Sequence, residues 1–212
     1  MVKENNCINL IDSIARNILN IFQDQDGVKE IPVKDYGWEN YKYASSKFRT
    51  AHVQIFRQPK FIVLHSCVYP HKNDDSPIFG FDAIAGENKI TGVFFDLSPT
   101  VKNGSYQFTN LEIEKSRDRP SWGDIFSDYW LACRPTFEEM EIIGIEVDKV
   151  LTTYLTTLGP KQNINEQEII NGQNYYCEQQ KKNPHTRKSL ENILGVDGAE
   201  EYMSTILFPK FQ

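Results

Sequence analysis

The sequence predicts an α/β protein in which an antiparallel sheet is flanked by segregated helices. Three observations predict it. The middle of the chain holds five or six short apolar runs joined mostly by short links, which favour antiparallel pairing over crossovers. Helical periodicity is confined to the two ends, before Gly27 and after Thr136. No segment repeats, and none is of low complexity. That order suits an α+β layout or a three-layer sandwich. The 212 residues read as one domain, 1–212, large enough to bury a real core.

Residues 8–22 place Ile11, Ile14, Ile18 and Phe22 on one helical face, with Asp12, Arg16 and Asn20 opposite. Gly27 and Pro32 end that region. Residues 36–43 alternate aromatic and polar types, as a half-exposed strand does. Residues 49–57 alternate again, with Ala51, Val53 and Ile55 on one face and His52, Gln54 and Phe56 on the other. Gln58-Pro59-Lys60 then turns the chain back as a hairpin. In the returning strand Phe61, Val63, His65, Cys67 and Tyr69 share a face; in the next, Ile78, Gly80, Asp82 and Ile84 do. A further strand covers 89–97. Residues 100–121 read as a long loop, and a last strand is expected near 127–134.

Thr136 and Glu139 form a capping box that starts a long helix. Its buried stripe is Met140, Ile143, Val147, Val150, Leu151, Tyr154 and Leu158, and Gly159-Pro160 stops it. Asn165 caps another helix, to about Gln180. Pro184 breaks the chain, a third helix covers 186–194 and closes at Gly195, and a last helix runs over 198–207.

A formal charge of −6 and a pI near 5.3 argue against general nucleic-acid binding. The cysteines at 7, 67, 133 and 177 form no C-x-x-C pair and no zinc spacing with histidine. Cys67 and Cys133 read as small core residues. Together with the absence of an apolar leader or a membrane-length run, this points to a reducing, cytoplasmic setting without disulfides or membrane contact. The sequon at Asn103 carries little weight there. No coiled-coil pattern or broad apolar stripe is present, so a monomer is expected. The chain also lacks a phosphate-cradling glycine loop, a G-x-S-x-G elbow and an H-E-x-x-H helix.

Chemistry concentrates between His65 and Pro99. One imidazole and one carboxyl each lie within an apolar strand face, and a carboxyl there must be paired, protonated or functional. His52 and Gln54 fall on the face of His65, and a polar cluster on an apolar sheet face marks a pocket. On this pattern alone a satisfied structural pair and a catalytic pair both remain open.

Several blocks in order carry more: F-R-T-A-H-V, L-H-S-C-V-Y-P, P-I-F-G-F-D, D-L-S-P, W-G-D-I-F-S-D-Y, C-R-P-T, N-G-Q-N-Y-Y-C and K-K-N-P-H-T-R-K-S-L-E, followed by G-V-D-G-A-E-E-Y-M-S-T-I-L-F. Across 46–208 the chain resembles the ferredoxin-dependent bilin reductases, nearest their phycocyanobilin-forming branch. The resemblance implies a three-layer α/β/α sandwich with a central antiparallel sheet and an open-chain tetrapyrrole, biliverdin IXα, between the sheet and the C-terminal helices. It implies no bound metal or flavin, single electrons from a reduced [2Fe-2S] ferredoxin, and bilin radicals on the way to product. By the same resemblance Asp82 is the proton donor under the central pyrrole nitrogens, His65 acts near the D-ring carbonyl, and His52 supports them. Arg134 would hold one propionate. His185, in place of a family lysine, and Arg187 would serve the other. Ferredoxin is acidic, so Lys181, Lys182, Arg187 and Lys188 are its expected dock.

The residue types suit that work. Each electron added to a bilin raises its basicity, so catalysis becomes the placing of protons. Gly80 leaves room for a ring on the sheet, apolar surroundings favour a neutral Asp82, and an imidazole relays near neutral pH. Two positions depart from the family. Gln54 replaces the glutamate that protonates the D-ring vinyl group, and an amide has no acid proton to give. Pro184 replaces a second aspartate above the bilin. The expected reaction is therefore a four-electron reduction of biliverdin IXα to phycoerythrobilin, of the kind a compact phage-encoded member performs. Reduction to phycocyanobilin is the alternative, and a non-reducing bilin carrier the alternative of another class.

Overall fold

The computed structural model describes residues 6–101 and 117–212. Most of the expected 100–121 loop, with Asn103, lies outside the described residues. Seven strands form one sheet: β1 (Lys29–Ile31), β2 (Glu39–Ala44), β3 (Phe48–Gln58), β4 (Phe61–Pro70), β5 (Ile78–Gly86), β6 (Ile90–Ser98) and β7 (Leu131–Cys133). Each pairs antiparallel with its neighbour in the sequence, in the order β1 to β7. Helices α1 (Cys7–Gln23) and α2 (Phe137–Thr157) cover one face, and α3 (Glu166–Gln180) and α4 (Pro184–Tyr202) the other. This is the three-layer sandwich.

Period-two alternation divides the strands between two cores. Ala51, Val53, Ile55, Ile62, Leu64, Phe79, Phe81, Val93 and Phe95 meet Ile11, Ile18, Phe22, Met140, Ile143 and Leu151 of α1 and α2. Gly144 allows α2 to approach α1, since a Cβ there would lie 2.8 Å from Ile14. On the other face Cys67, Tyr69 and Ile78 meet Ile170, Tyr176, Cys177, Leu190, Tyr202 and Leu207. The helix starts follow their caps: Thr136 and Glu139 complete the capping box, and the Asn165 side chain accepts from the Gln167 and Glu168 amides.

Four expectations need correction. The sheet has seven strands because β1, exposed throughout, carries no apolar pattern to read. The 36–43 strand begins only at Glu39. In 127–134 only Leu131–Cys133 pairs, since Gly123–Ile125 is a 3₁₀ turn and Ser127 is tied to Asp96. Pro184 does not break the chain but opens α4 as its first residue, where its missing N–H costs nothing and Asn183 supplies the cap. The break expected at Gly195 is present, its φ of 74° interrupting α4 as a kink, and a π turn, Met203–Leu207, follows. All four cysteines are buried free thiols. No described helix is long and apolar enough to cross a membrane.

Candidate active site

Register builds the site. Asn40, Gln54, His65, Asp82 and Phe94 pair successively across β2 to β6, so five side chains form one row on the face toward α3 and α4. Beside it runs a second row, His52, Cys67, Gly80 and Asp96. Directly opposed residues on neighbouring strands bring their Cβ atoms to about 5 Å, which is bonding reach for polar side chains.

A cavity of about 470 Å³ lies over these rows. Val63, His65, Gly80, Asp82, Ile84 and Phe94 form its floor. Trp38, Phe56, Trp122, Phe126 and Trp130 wall it, and Tyr176, Asn183, His185, Leu190 and Ile193 of the C-terminal helices close it above. The Phe126 and Trp130 rings stack, 5.3 Å between centroids. Gly80 matters because a Cβ there would stand 3.3 Å from the Tyr176 hydroxyl; its absence keeps the floor flat under that phenol. Such a slot fits a flat, extended, mostly apolar ligand.

His65 Nδ1 lies 2.8 Å from Asp82 Oδ1. Burial alone would lower the His65 imidazole, but the Asp82 carboxylate, by its charge and its hydrogen bond, pushes it up to about 10. That pairing favours the charged imidazolium at His65. The Asp82 side chain is 41 % exposed, open to the cavity rather than enclosed by apolar groups. His52 behaves oppositely. Burial, then the neighbouring His65 and Lys42 charges, hold it well below its ordinary value, so it is neutral. Its ring centroid is 5.8 Å from that of His65, and its Nε2 lies 3.2 Å from Asn40 Oδ1. His52 Nδ1 and His65 Nε2 are both buried without a protein partner. Among the described residues one group, His52, His65 and Cys67, brings three donor atoms within 4.8 Å of one another, and it includes the same two histidines.

These shifts predict how stability depends on pH. His65 is raised on folding, so its contribution is complete below about pH 6.5 and is lost as pH climbs toward 10. His52 is depressed, so its contribution is present above 6.5 and is lost on acidification. Melting temperature should accordingly fall between neutral pH and pH 10, and Asp82→Asn should flatten that limb. An unchanged alkaline slope in the variant would contradict the pairing.

The other candidates are spread more widely. Gln54 and His185 line the cavity; His52, buried in the neighbouring row, does not. Arg134 is exposed at the sheet edge and donates from Nε to the Thr91 carbonyl at 3.2 Å, next to the cavity rim. Pro184 and Arg187 do not line the cavity, and Arg187 pairs with Glu200 across the α4 kink at 3.0 Å. Lys182 and Lys188 are exposed beside it.

Sequence reasoning missed Arg117, which lies over the Phe94 ring (5.5 Å) and lines the cavity. It also missed Asp96, buried and lining the cavity. Burial pushes its carboxyl up, opposed by hydrogen bonds from Ser127 and Ser98. Period two places Asp96 on the face of Phe94, so that residue was within reach of the pattern. Arg117 sits in a segment with no periodicity and gave no signal.

The family model described as ferredoxin-dependent bilin reductase matches residues 20–209. Phycocyanobilin:ferredoxin oxidoreductase of Synechococcus elongatus is 34% identical over 187 residues, covering 80% of this chain and 75% of the relative. The enzyme of that name from Prochlorococcus marinus is 33% identical over 210 residues, covering 92% and 82%. Among solved structures, phytochromobilin synthase from tomato in complex with biliverdin superimposes with a TM-score of 0.71 at 14% identity, over 94% of this chain and 82% of that one. Fold, cavity and family match agree: the chain belongs to the ferredoxin-dependent bilin reductases, oxidoreductases that take their electrons from ferredoxin.

Proposed function

We propose that the substrate is biliverdin IXα and that the product is phycoerythrobilin, formed by four one-electron transfers from a reduced [2Fe-2S] ferredoxin and uptake of four protons. The observation that carries this reading is the His65–Asp82 pair, 2.8 Å apart on the floor of an aromatic-walled cavity. An electron entering a bilin makes its nitrogens and lactam oxygens more basic. A proton already held at His65, shared with Asp82, then needs only a short transfer. Asp82, under the central nitrogens, draws that proton from His65 and hands it to the pigment, so it is the group through which most protons pass. The aromatic walls exclude water, so a bilin radical meets few competing proton donors.

Charged groups at the rim orient the pigment. Arg117 and Arg134 offer guanidinium forks on one side, suited to a propionate, and His185 faces the cavity from the start of α4. Pro184 and Arg187 act only indirectly, the first by starting α4 and the second by bracing its kink. The exposed Lys182 and Lys188, with Lys181, form the positive edge on which an acidic ferredoxin settles.

Gln54 sets the regiochemistry. It pairs with His65 in the register and lines the cavity, yet has no proton to donate to a vinyl group. Reduction therefore falls on the bridge between rings C and D and then on the A-ring diene. Anaerobic turnover of biliverdin with reduced ferredoxin, followed by chromatography and absorbance, tests this. Phycoerythrobilin is expected from the native chain, and Gln54→Glu should divert product toward the vinyl-reduced isomer, phycocyanobilin. Phycocyanobilin as the main native product would refute the role given to Gln54; biliverdin recovered unchanged would refute the reaction.

A further inference from the structure

Tyr202 lies outside every role described so far. It is fully buried at the end of α4. Its hydroxyl is hydrogen-bonded to Asn40 Oδ1, lies 2.7 Å from Gln54 Oε1, and is 3.4 Å from the Trp38 indole N–H. A phenol carries one hydrogen and two lone pairs, so it cannot donate to both amide oxygens at once. One of the two amides must turn its NH₂ toward the phenol.

The neighbours decide which. Asn40 Nδ2 donates to the Trp38 carbonyl at 3.2 Å, and Asn40 Oδ1 is 3.2 Å from His52 Nε2. Turning Asn40 would lose the Trp38 bond and force the His52 proton onto Nδ1, which has no partner. Turning Gln54 loses nothing. Its NH₂ then donates to the phenol oxygen while the phenol hydrogen and His52 Nε2–H both go to Asn40 Oδ1. The Asn40 amide, the Tyr202 phenol and His52 Nε2 are then all partnered, the arrangement a dry interior favours.

We infer that Tyr202 is a positioning residue that fixes the hydrogen-bond polarity of the active-site row: it turns the Gln54 carbonyl into the cavity and, through Asn40, keeps His52 protonated on Nε2 with the Nδ1 lone pair free. Gln54 thus meets the pigment as an acceptor, and its partner is a ring N–H rather than a lactam oxygen. Neutral His52 accepts a proton at Nδ1 and releases none there. This deepens the reading that a bilin fills the cavity and rests on it for the pigment contact. The His52 tautomer belongs to the pigment-free protein and does not rest on it.

The experiment therefore has two arms. In ¹⁵N-labelled protein without pigment, long-range nitrogen–proton spectra of the histidine rings should show His52 with its proton on Nε2. Tyr202→Phe, which removes the hydroxyl and keeps the ring, should mix the two tautomers. With biliverdin and reduced ferredoxin, Tyr202→Phe should change the ratio of isomeric products about fivefold, the effect of one ordinary hydrogen bond. Trp38→Phe, which removes only a weak N–H donor to the phenol, should leave the tautomer in place. Native His52 protonated on Nδ1 would overturn the inference even if Tyr202→Phe failed to fold. So would a folded Tyr202→Phe with native ring signals and an unaltered product ratio. Loss of all turnover in the native chain would instead count against the reaction, leaving the tautomer result to stand by itself.

Discussion

Asp82→Asn is expected to slow biliverdin reduction about 10²–10⁴-fold, the usual worth of a placed general acid. The amide matches the carboxylate in shape but neither carries a transferable proton nor attracts one to His65. Both influences that raise His65 come from Asp82 first, with Cys67 behind it. Without them burial prevails, and the imidazole drops below its ordinary value. A second signature follows. Native turnover should hold level from mildly acidic to mildly alkaline pH, while residual turnover of the variant should fall steeply as pH rises. Single-turnover mixing with reduced ferredoxin, read by pigment absorbance and radical lifetime, measures both. A variant with native rates and a native radical lifetime would remove Asp82 from the mechanism.

Phe79→Ala should cost about 3–5 kcal/mol of stability, as large-to-small changes in packed cores do. Phe79 is fully buried on the face of β5 opposite Gly80 and Asp82. Its ring meets Phe95 edge-on at 5.6 Å and Tyr154 at 6.0 Å, and the Tyr154 hydroxyl is fixed by a 2.6 Å bond to the Pro77 carbonyl. Little of that interlocked group can collapse into the space left behind. Urea denaturation should show a lower midpoint at unchanged slope. Because the change lies behind the sheet, biliverdin should still bind with the native spectrum wherever the variant is folded. A loss below about 1 kcal/mol would mean that the helix pair on that side contributes little to holding the sheet flat.

The strands and long helices were legible because their periods are clean. His52, Gln54, His65 and Asp82 fell on one face by counting in twos, and the structure sets them in adjacent rows. What periodicity could not supply was partnership. Nothing local tells Trp38 or Tyr202 that they meet across the fold, or that Asp96 is reserved for two serines. Pro184 misled because proline both ends and begins helices, and only the Asn183 cap decides which. Arg187 drew attention as a cation, but its charge is spent on Glu200, a residue beyond the kink at Gly195 that sequence spacing does not bring near it.

The neighbour-to-neighbour order of the strands also shapes how the protein is made. His52, His65 and Asp82 lie in β3 to β5, whereas the helices that cover them come from the far end of the chain. At roughly 5–20 residues per second, a ribosome exposes the finished half-site for several seconds before α3 and α4 can close over it. During that interval the nascent chain offers an oily, polar-studded surface to anything nearby. Pigment arriving then would template the last helices, and another unfinished chain arriving then would nucleate an aggregate. Yield during expression should therefore be more sensitive to truncation or slowed translation of the C-terminal third than to equal changes at the start.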